Sequence, residues 1–202
     1  MLERFRAFWT KVFSPLARLL LRWGVSPDAV TLVGTIGVCA GALVFFPRGQ
    51  LLIGVLVITA FVFSDLVDGH MARLSGRSSP WGAFLDSTLD RFGDAAIFSG
   101  LAMYYVGPGD SHALTALALY CLVMGSVTSY ARARAEALGM QAKGGIAERA
   151  DRLVAILVMT GLADIFNLFV LIPVTLGVLA VASTITVVQR VMLVRGQAKA
   201  AV

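Results

Sequence analysis

Five aspartates, Asp65, Asp68, Asp86, Asp90 and Asp94, fall within thirty residues of a chain that is otherwise poor in charge. On a helix Asp65 and Asp68 stand at i and i+3, and Asp86 and Asp90 at i and i+4, so each pair projects from one face. Like charges so placed repel, and four carboxylates on two neighbouring helices are best tolerated with a cation between them. An all-oxygen set favours Mg²⁺, Mn²⁺ or Ca²⁺ over zinc. His70 is the one nitrogen or sulfur ligand in the pattern, which leaves Mg²⁺ or Mn²⁺ as the expected ion. Any single aspartate is accounted for by a solvated helix end paired with Arg73, Arg77 or Arg91; four in this register are not. Small residues are interleaved with the acids. Gly69 and Ala72 follow Asp68, and Gly82 lies four before Asp86. Close helix packing is one account of them; room for a flat or phosphorylated ligand is the other, and the interleaving favours it.

The elements that carry these residues belong in a bilayer. Of 202 residues 58% are hydrophobic and 14% charged, with mean hydropathy +0.82, against roughly 25% charged in a soluble domain. Long apolar blocks exclude disorder, collagen-like repeats and heptad coiled coils. A spanning helix needs about 20 apolar residues, and six blocks qualify: residues 29–46, 51–64, 83–106, 113–130, 153–163 and 166–188. The second and fifth reach spanning length only by continuing as helix into 65–74 and 148–152. Both flanks are rich in Ala, Leu, Arg and Glu and lack proline. Residues 1–22 interleave Arg4, Arg6, Lys11, Arg18 and Arg22 with Phe5, Phe8, Trp9 and Phe13, which predicts an amphipathic helix lying in the interface. No signal-peptide core or cleavage site is present in it. Cys39 and Cys121 sit inside apolar blocks and read as small core residues, not as a disulfide or zinc pair. The expected fold is therefore an all-α integral membrane protein, one domain over 1–202, with an interfacial helix (1–22) followed by six transmembrane helices (23–202).

Sixteen of the 17 Lys and Arg lie at the termini or in the second and fourth loops, and Arg48 is the exception. By the positive-inside tendency, both termini and the carboxylates should face the cytoplasm, in a multi-pass protein of the plasma membrane. The opposite loops are short and offer an external ligand little to hold.

Written out, the acidic segment reads Asp65-Leu-Val-Asp68-Gly69-His-Met-Ala72-Arg73, then Gly82-Ala-Phe-Leu-Asp86-Ser-Thr-Leu-Asp90. It matches all eight fixed positions of D-x-x-D-G-x-x-A-R-x8-G-x-x-x-D-x-x-x-D and so resembles the CDP-alcohol phosphotransferase family. The resemblance implies transfer of a phosphatidyl group from a CDP-activated lipid to an alcohol, with release of CMP. It also implies two divalent cations on Asp65, Asp68, Asp86 and Asp90, with Asp90 as general base. That chemistry is coherent: metals neutralise the departing nucleotide, and a carboxylate removes the acceptor proton. The same likeness puts Gly69, Ala72, Arg73, Ser79 and Gly82 around the CDP-lipid. Upstream, Ser26-Pro27-Asp28-Ala29-Val30-Thr31 resembles an element that closes over the cytidine, adding Asp28 and Thr31 to that set. Read without the family it is a helix start, with Ser26 as cap and Pro27 in the first turn.

Arg132, Arg134, Lys143, Arg149 and Arg152 crowd one cytoplasmic loop, and Arg190 and Arg195 follow the last span. Singly they answer to the positive-inside rule or to anionic lipid; together they suit an acceptor that carries phosphate. The stretches Ser129 to Glu136 and Ile146 to Arg152 look most like the family's actinobacterial inositol-phosphate-using branch. That likeness selects Arg132, Arg152 and Arg190 for the phosphate, with CDP-diacylglycerol and inositol 1-phosphate as substrates. Ala142-Lys143-Gly144-Gly145 departs from the G-K-x-K-T-like stretch of the glycerol-phosphate branch, so glycerol 3-phosphate is the second acceptor. A homodimer among membrane lipids is implied, and no nucleic-acid partner. A cation or proton transporter lined by carboxylates is the reading from another class, but nothing ionisable continues its route through the outer half. A CDP-lipid binding protein without catalysis would have no use for Asp90.

Overall fold

The computed structural model describes residues 14–76 and 79–200, with the backbone alone at Asp65 and Leu66. Among them every regular element is helical: α1 (Pro27–Ala40), α2 (Leu51–Val62), α3 (Ser64–Leu74), α4 (Pro80–Val106), α5 (His112–Ala137), α6 (Arg149–Phe166) and α7 (Leu171–Ala200). A π turn (Gly41–Phe45) and a 3-10 turn (Phe46–Arg48) prolong α1. Four helical runs, Pro27–Arg48, Leu51–Leu74, His112–Ala137 and Leu171–Ala200, are long and apolar enough to cross a membrane. Helix α4 carries Asp86, Asp90, Arg91 and Asp94, and α6 carries Arg149, Asp151, Arg152 and Asp164, which sets these two apart in composition. Both expected continuations into charged sequence are helical: α3 follows α2 after a turn at Phe63, and Arg149 begins α6.

The helix ends are where side chains can satisfy the orphan amides. Ser26 caps α1 with Pro27 just inside it, as its sequence predicts, and Ser79 caps α4 in the same way. Glu148 and Asp151 form a capping box on α6, and Asn167 in the left-handed conformation ends it. Ser64 donates to the Phe61 carbonyl at 2.6 Å where α2 gives way to α3.

In lipid, helices associate through close packing rather than apolar burial, and small residues allow it. Gly34, Gly37 and Gly41 lie on one face of α1 and its extension. A Cβ on them would collide with Ser64, Phe61 and Ile58 in turn, so α1 lies antiparallel against α2 and the start of α3. Phe46, fully buried, occupies the space left by Gly54 and Gly100. Outward, Val174, Val178, Val181, Ile185 and Val188 form an exposed apolar stripe along α7. Of the expected N-terminal helix, residues 1–13 lie outside the described residues. Residues 14–22 are helical and pack on α3 through Ala17 against Val67 and Met71, with Ser14 Oγ 2.8 Å from His70 Nε2.

Candidate active site

Helices α1, α3 and α4 enclose a cavity of about 280 Å³. Its wall holds Asp28 and Thr31 from α1, Asp68, Gly69, Ala72 and Arg73 from α3, and Ser79, Gly82 and Asp86 from α4 and its cap. All seven residues that the sequence assigns to the CDP-lipid thus meet at one place, beside two of the four expected metal ligands. Side-chain bonds fix the rim. Thr31 Oγ1 donates to Asp68 Oδ2 at 2.6 Å, and Trp81 Nε1 donates to Asp28 Oδ2 at 3.1 Å. Neither partnership is evident in the sequence, because each joins residues 37 or 53 positions apart.

The glycines separate the two accounts of the small residues. A Cβ on Gly82 would come no nearer than 3.6 Å to Ser79 and 4.0 Å to Asp28, and one on Gly69 would meet Arg73 at 3.7 Å. Those are ordinary contacts, so no neighbouring helix requires glycine there. The contrast with Gly34 and Gly37, where a Cβ strikes Ser64 or Phe61, marks Gly69 and Gly82 as space kept open toward the cavity.

Asp68 is 6% exposed, and the charges of Asp86 and Asp90 both bear on it. Among the described residues no three His, Cys, Asp or Glu side chains form a complete ion site by themselves. The side chain of Asp65, one turn before Asp68 on α3, lies outside the described residues. Two carboxylates against an open cavity nevertheless fit a hard cation, because Mg²⁺ takes one or two protein carboxylates and completes its shell with water and substrate phosphate.

Asp90 stands one turn beyond Asp86 and lines a separate space of about 20 Å³ with Gly34, Thr35 and Arg149. Arg149 reaches Asp90 at 2.9 Å and Asp94, also at 2.9 Å. Arg91 closes the group at 3.7 Å from Asp90 and 3.6 Å from Asp94, and also donates to Ser129 on α5. This four-charge seam was missed in the sequence, where Arg149 reads as one more cytoplasmic cation. Its i, i+3 spacing from Arg152 was the available signal that it shares a face with the acceptor arginines.

The three acceptor arginines are placed differently from one another. Arg152 is 2% exposed and donates to the Ala147 carbonyl at 3.1 Å. Arg190, at 4%, donates to Gly144 at 3.1 Å and Thr128 at 2.6 Å. Arg132 is exposed and ion-paired with Glu136 at 3.0 Å, though its charge bears on Arg190. Arg195, the rival of Arg190, is exposed. Among the described residues no carboxylate lies within 4.0 Å of Arg152 or Arg190, whereas Arg91 and Arg149 both have one. Asp94 acts on Arg152, and Glu148 and Glu136 on Arg190, only from beyond ion-pair distance, and buried cations with no carboxylate in contact suit an anionic ligand.

The sequence model of CDP-alcohol phosphatidyltransferases matches residues 24–193. A phosphatidylinositol phosphate synthase of Streptomyces avermitilis is 55% identical over 196 residues, covering 94% of this chain and 80% of that protein. The synthase of the same name from Cutibacterium acnes is 54% identical, covering 96% of this chain and 98% of its own. In structure the chain is similar to the Mycobacterium tuberculosis phosphatidylinositol phosphate synthase with CDP-DAG bound, with TM-score 0.88, 42% identity, and coverage of 91% and 94%. A second crystal structure of that enzyme, with manganese and citrate, gives a TM-score of 0.84 at 42% identity, covering 90% of this chain and 88% of that one.

Proposed function

The chain belongs to the CDP-alcohol phosphatidyltransferase family, and from that premise we propose that it transfers the phosphatidyl group of CDP-diacylglycerol to a hydroxyl of inositol 1-phosphate. The products are phosphatidylinositol phosphate and CMP. One observation carries the reading: a single cavity collects Asp68 and Asp86, Arg73, and the glycines that leave room for a nucleotide-bearing headgroup.

Arg73 meets phosphate oxygens of the donor by charge-assisted hydrogen bonds. Thr31 holds the Asp68 carboxylate in one orientation toward the cavity. Asp65, Asp68, Asp86 and Asp90 would hold two divalent cations, Mg²⁺ or Mn²⁺, whose charge neutralises the pyrophosphate when bound. Arg152 and Arg190, with Arg132 at the rim, grip the acceptor phosphate. Asp90 takes the proton of the acceptor hydroxyl as its oxygen attacks the lipid-side phosphorus. The bond from that phosphorus to CMP breaks, and CMP leaves with the electron pair. Asp90 stands one turn beyond Asp86 and is paired with Arg149, itself i, i+3 to Arg152, which suits a group serving both substrates.

In the membrane, α4 and α6 complete a six-span bundle with the four more apolar runs, as one domain with an interfacial N-terminal helix. The arginine distribution puts both termini and the site at the cytoplasmic face of the plasma membrane, and the working unit is a homodimer. The test is CMP release by purified protein supplied with CDP-diacylglycerol, Mg²⁺ and a panel of inositol, inositol 1-phosphate and glycerol 3-phosphate. Release with inositol 1-phosphate is expected, and none in Asp90→Asn. Release with glycerol 3-phosphate alone overturns the acceptor assignment.

A further inference from the structure

Residues 140–148 join α5 to α6 without regular structure, and three side chains of α7 hold them down. Gln197 accepts from the Gln141 amide at 2.9 Å and donates to its carbonyl at 2.6 Å. Thr186 Oγ1, fully buried, accepts from the amides of Ile146 at 3.1 Å and Ala147 at 3.2 Å while donating to Ala182 at 2.8 Å. Arg190 reaches the Gly144 carbonyl. Between these anchors Gly145 has φ +137°, and a Cβ there would overlap the Thr186 methyl. The turn is over-determined: one residue type fits, and one hydroxyl binds two successive amides.

The same turn touches both buried acceptor arginines. The Gly144 carbonyl takes the Arg190 Nε and the Ala147 carbonyl takes an Arg152 terminal nitrogen. Burial disfavours the charge of Arg152, and Arg91, Arg149 and Arg190 repel it, while Asp94 attracts it. Each guanidinium takes a carbonyl of the turn, and the turn carbonyls fix their aim together with the Thr128 carbonyl for Arg190 and the charge of Asp94 for Arg152. A guanidinium has five N–H donors in a rigid fork, so fixing one donor aims the remainder. Donors aimed in advance bind an anion without reorganisation.

We infer that the Gly144 to Ala147 turn, strapped to α7 by Thr186 and steadied by Gln197 through Gln141 at the start of the same loop, is the specificity element of the acceptor site, setting the spacing and aim of Arg152 and Arg190. The inference rests on the reading that these arginines grip the acceptor phosphate. Thr186, Gly145 and Gln197 are then positioning residues that act through the arginines.

Steady-state CMP release by the full chain, with inositol 1-phosphate and CDP-diacylglycerol varied separately, tests it. Thr186→Val keeps shape and removes the hydroxyl. It is expected to raise the acceptor KM ten-fold or more, leave the CDP-diacylglycerol KM within two-fold, and narrow the preference for inositol 1-phosphate over glycerol 3-phosphate. Thr186→Ser restores the hydroxyl and is expected to recover most of the acceptor affinity. Gln197→Ala frees the exposed end of the strap without touching the core, and a two- to five-fold rise in acceptor KM is expected. An unchanged acceptor KM in Thr186→Val or Gln197→Ala, or equal rises for both substrates, overturns the inference. Arg152→Ala separates it from the reading beneath. If that variant keeps a wild-type acceptor KM, the phosphate assignment itself fails; if it loses acceptor affinity while the turn variants do not, only the present inference fails.

Discussion

The cavity between α1, α3 and α4 and the arginine cluster between α5, α6 and α7 treat their charges in opposite ways. In the first, Asp86 and Arg73 are exposed to open volume, Asp68 is buried against a side-chain hydroxyl, and glycine backbone forms part of the wall. In the second, Arg152 and Arg190 are buried and tied to main-chain carbonyls. A wall of that first kind suits contents that are large and are replaced at every turnover, namely a nucleotide and its lipid. The second suits a small anion recognised by fixed donors. The Asp90, Asp94, Arg91 and Arg149 seam runs between them, so charge is balanced at the boundary rather than inside either half.

Breaking the donor half should have the largest effect. Asp68→Asn or Asp86→Asn is expected to lower kcat at least ~10³-fold, within the range that charge stabilisation at a reacting phosphorus supplies. Chelation should mimic that loss, and added Mg²⁺ or Mn²⁺ should reverse it in the wild type only. Next comes Arg152→Ala, for which a rise in acceptor KM of about 100-fold is expected from loss of a charged hydrogen bond worth roughly 1.5–3 kcal/mol, with little change for the donor. Gly82→Leu sharpens the contrast between glycines. It should raise the CDP-diacylglycerol KM about ten-fold at an unchanged melting temperature, whereas Gly37→Leu should lower melting through overpacking of about 1–3 kcal/mol. The smallest effect is expected for Arg132→Ala, less than about five-fold in acceptor KM, since an exposed charge such as Arg132 contributes at most about 1 kcal/mol.

How far the sequence reaches follows from the range of the interactions. Asp68, Gly69, Ala72, Arg73, Gly82 and Asp86 lie within 19 residues, so periodicity groups them on one face of α3 and one of α4, the short connection keeps the two helices close, and the cavity contains them all. Ser26 as a cap was equally local. Four of the six apolar blocks fall in helical runs long and apolar enough to cross a membrane, and the other two fall in α4 and α6, which carry several charges. Arg149 escaped notice because its partners, Asp90 and Asp94, are more than fifty positions away, and nothing in its own neighbourhood distinguishes it from a topogenic cation. The same holds for Thr186, which reads as one polar residue in an apolar helix until the 146–147 amides arrive beside it.

The open space beside Gly69 and Gly82 bears on inhibition. A compound seated there presses on main-chain atoms, which no codon change removes. The simplest escape, a bulkier residue at either position, intrudes on the room that the natural lipid donor also needs. Resistance arising at this wall should therefore come with a loss of affinity for the donor.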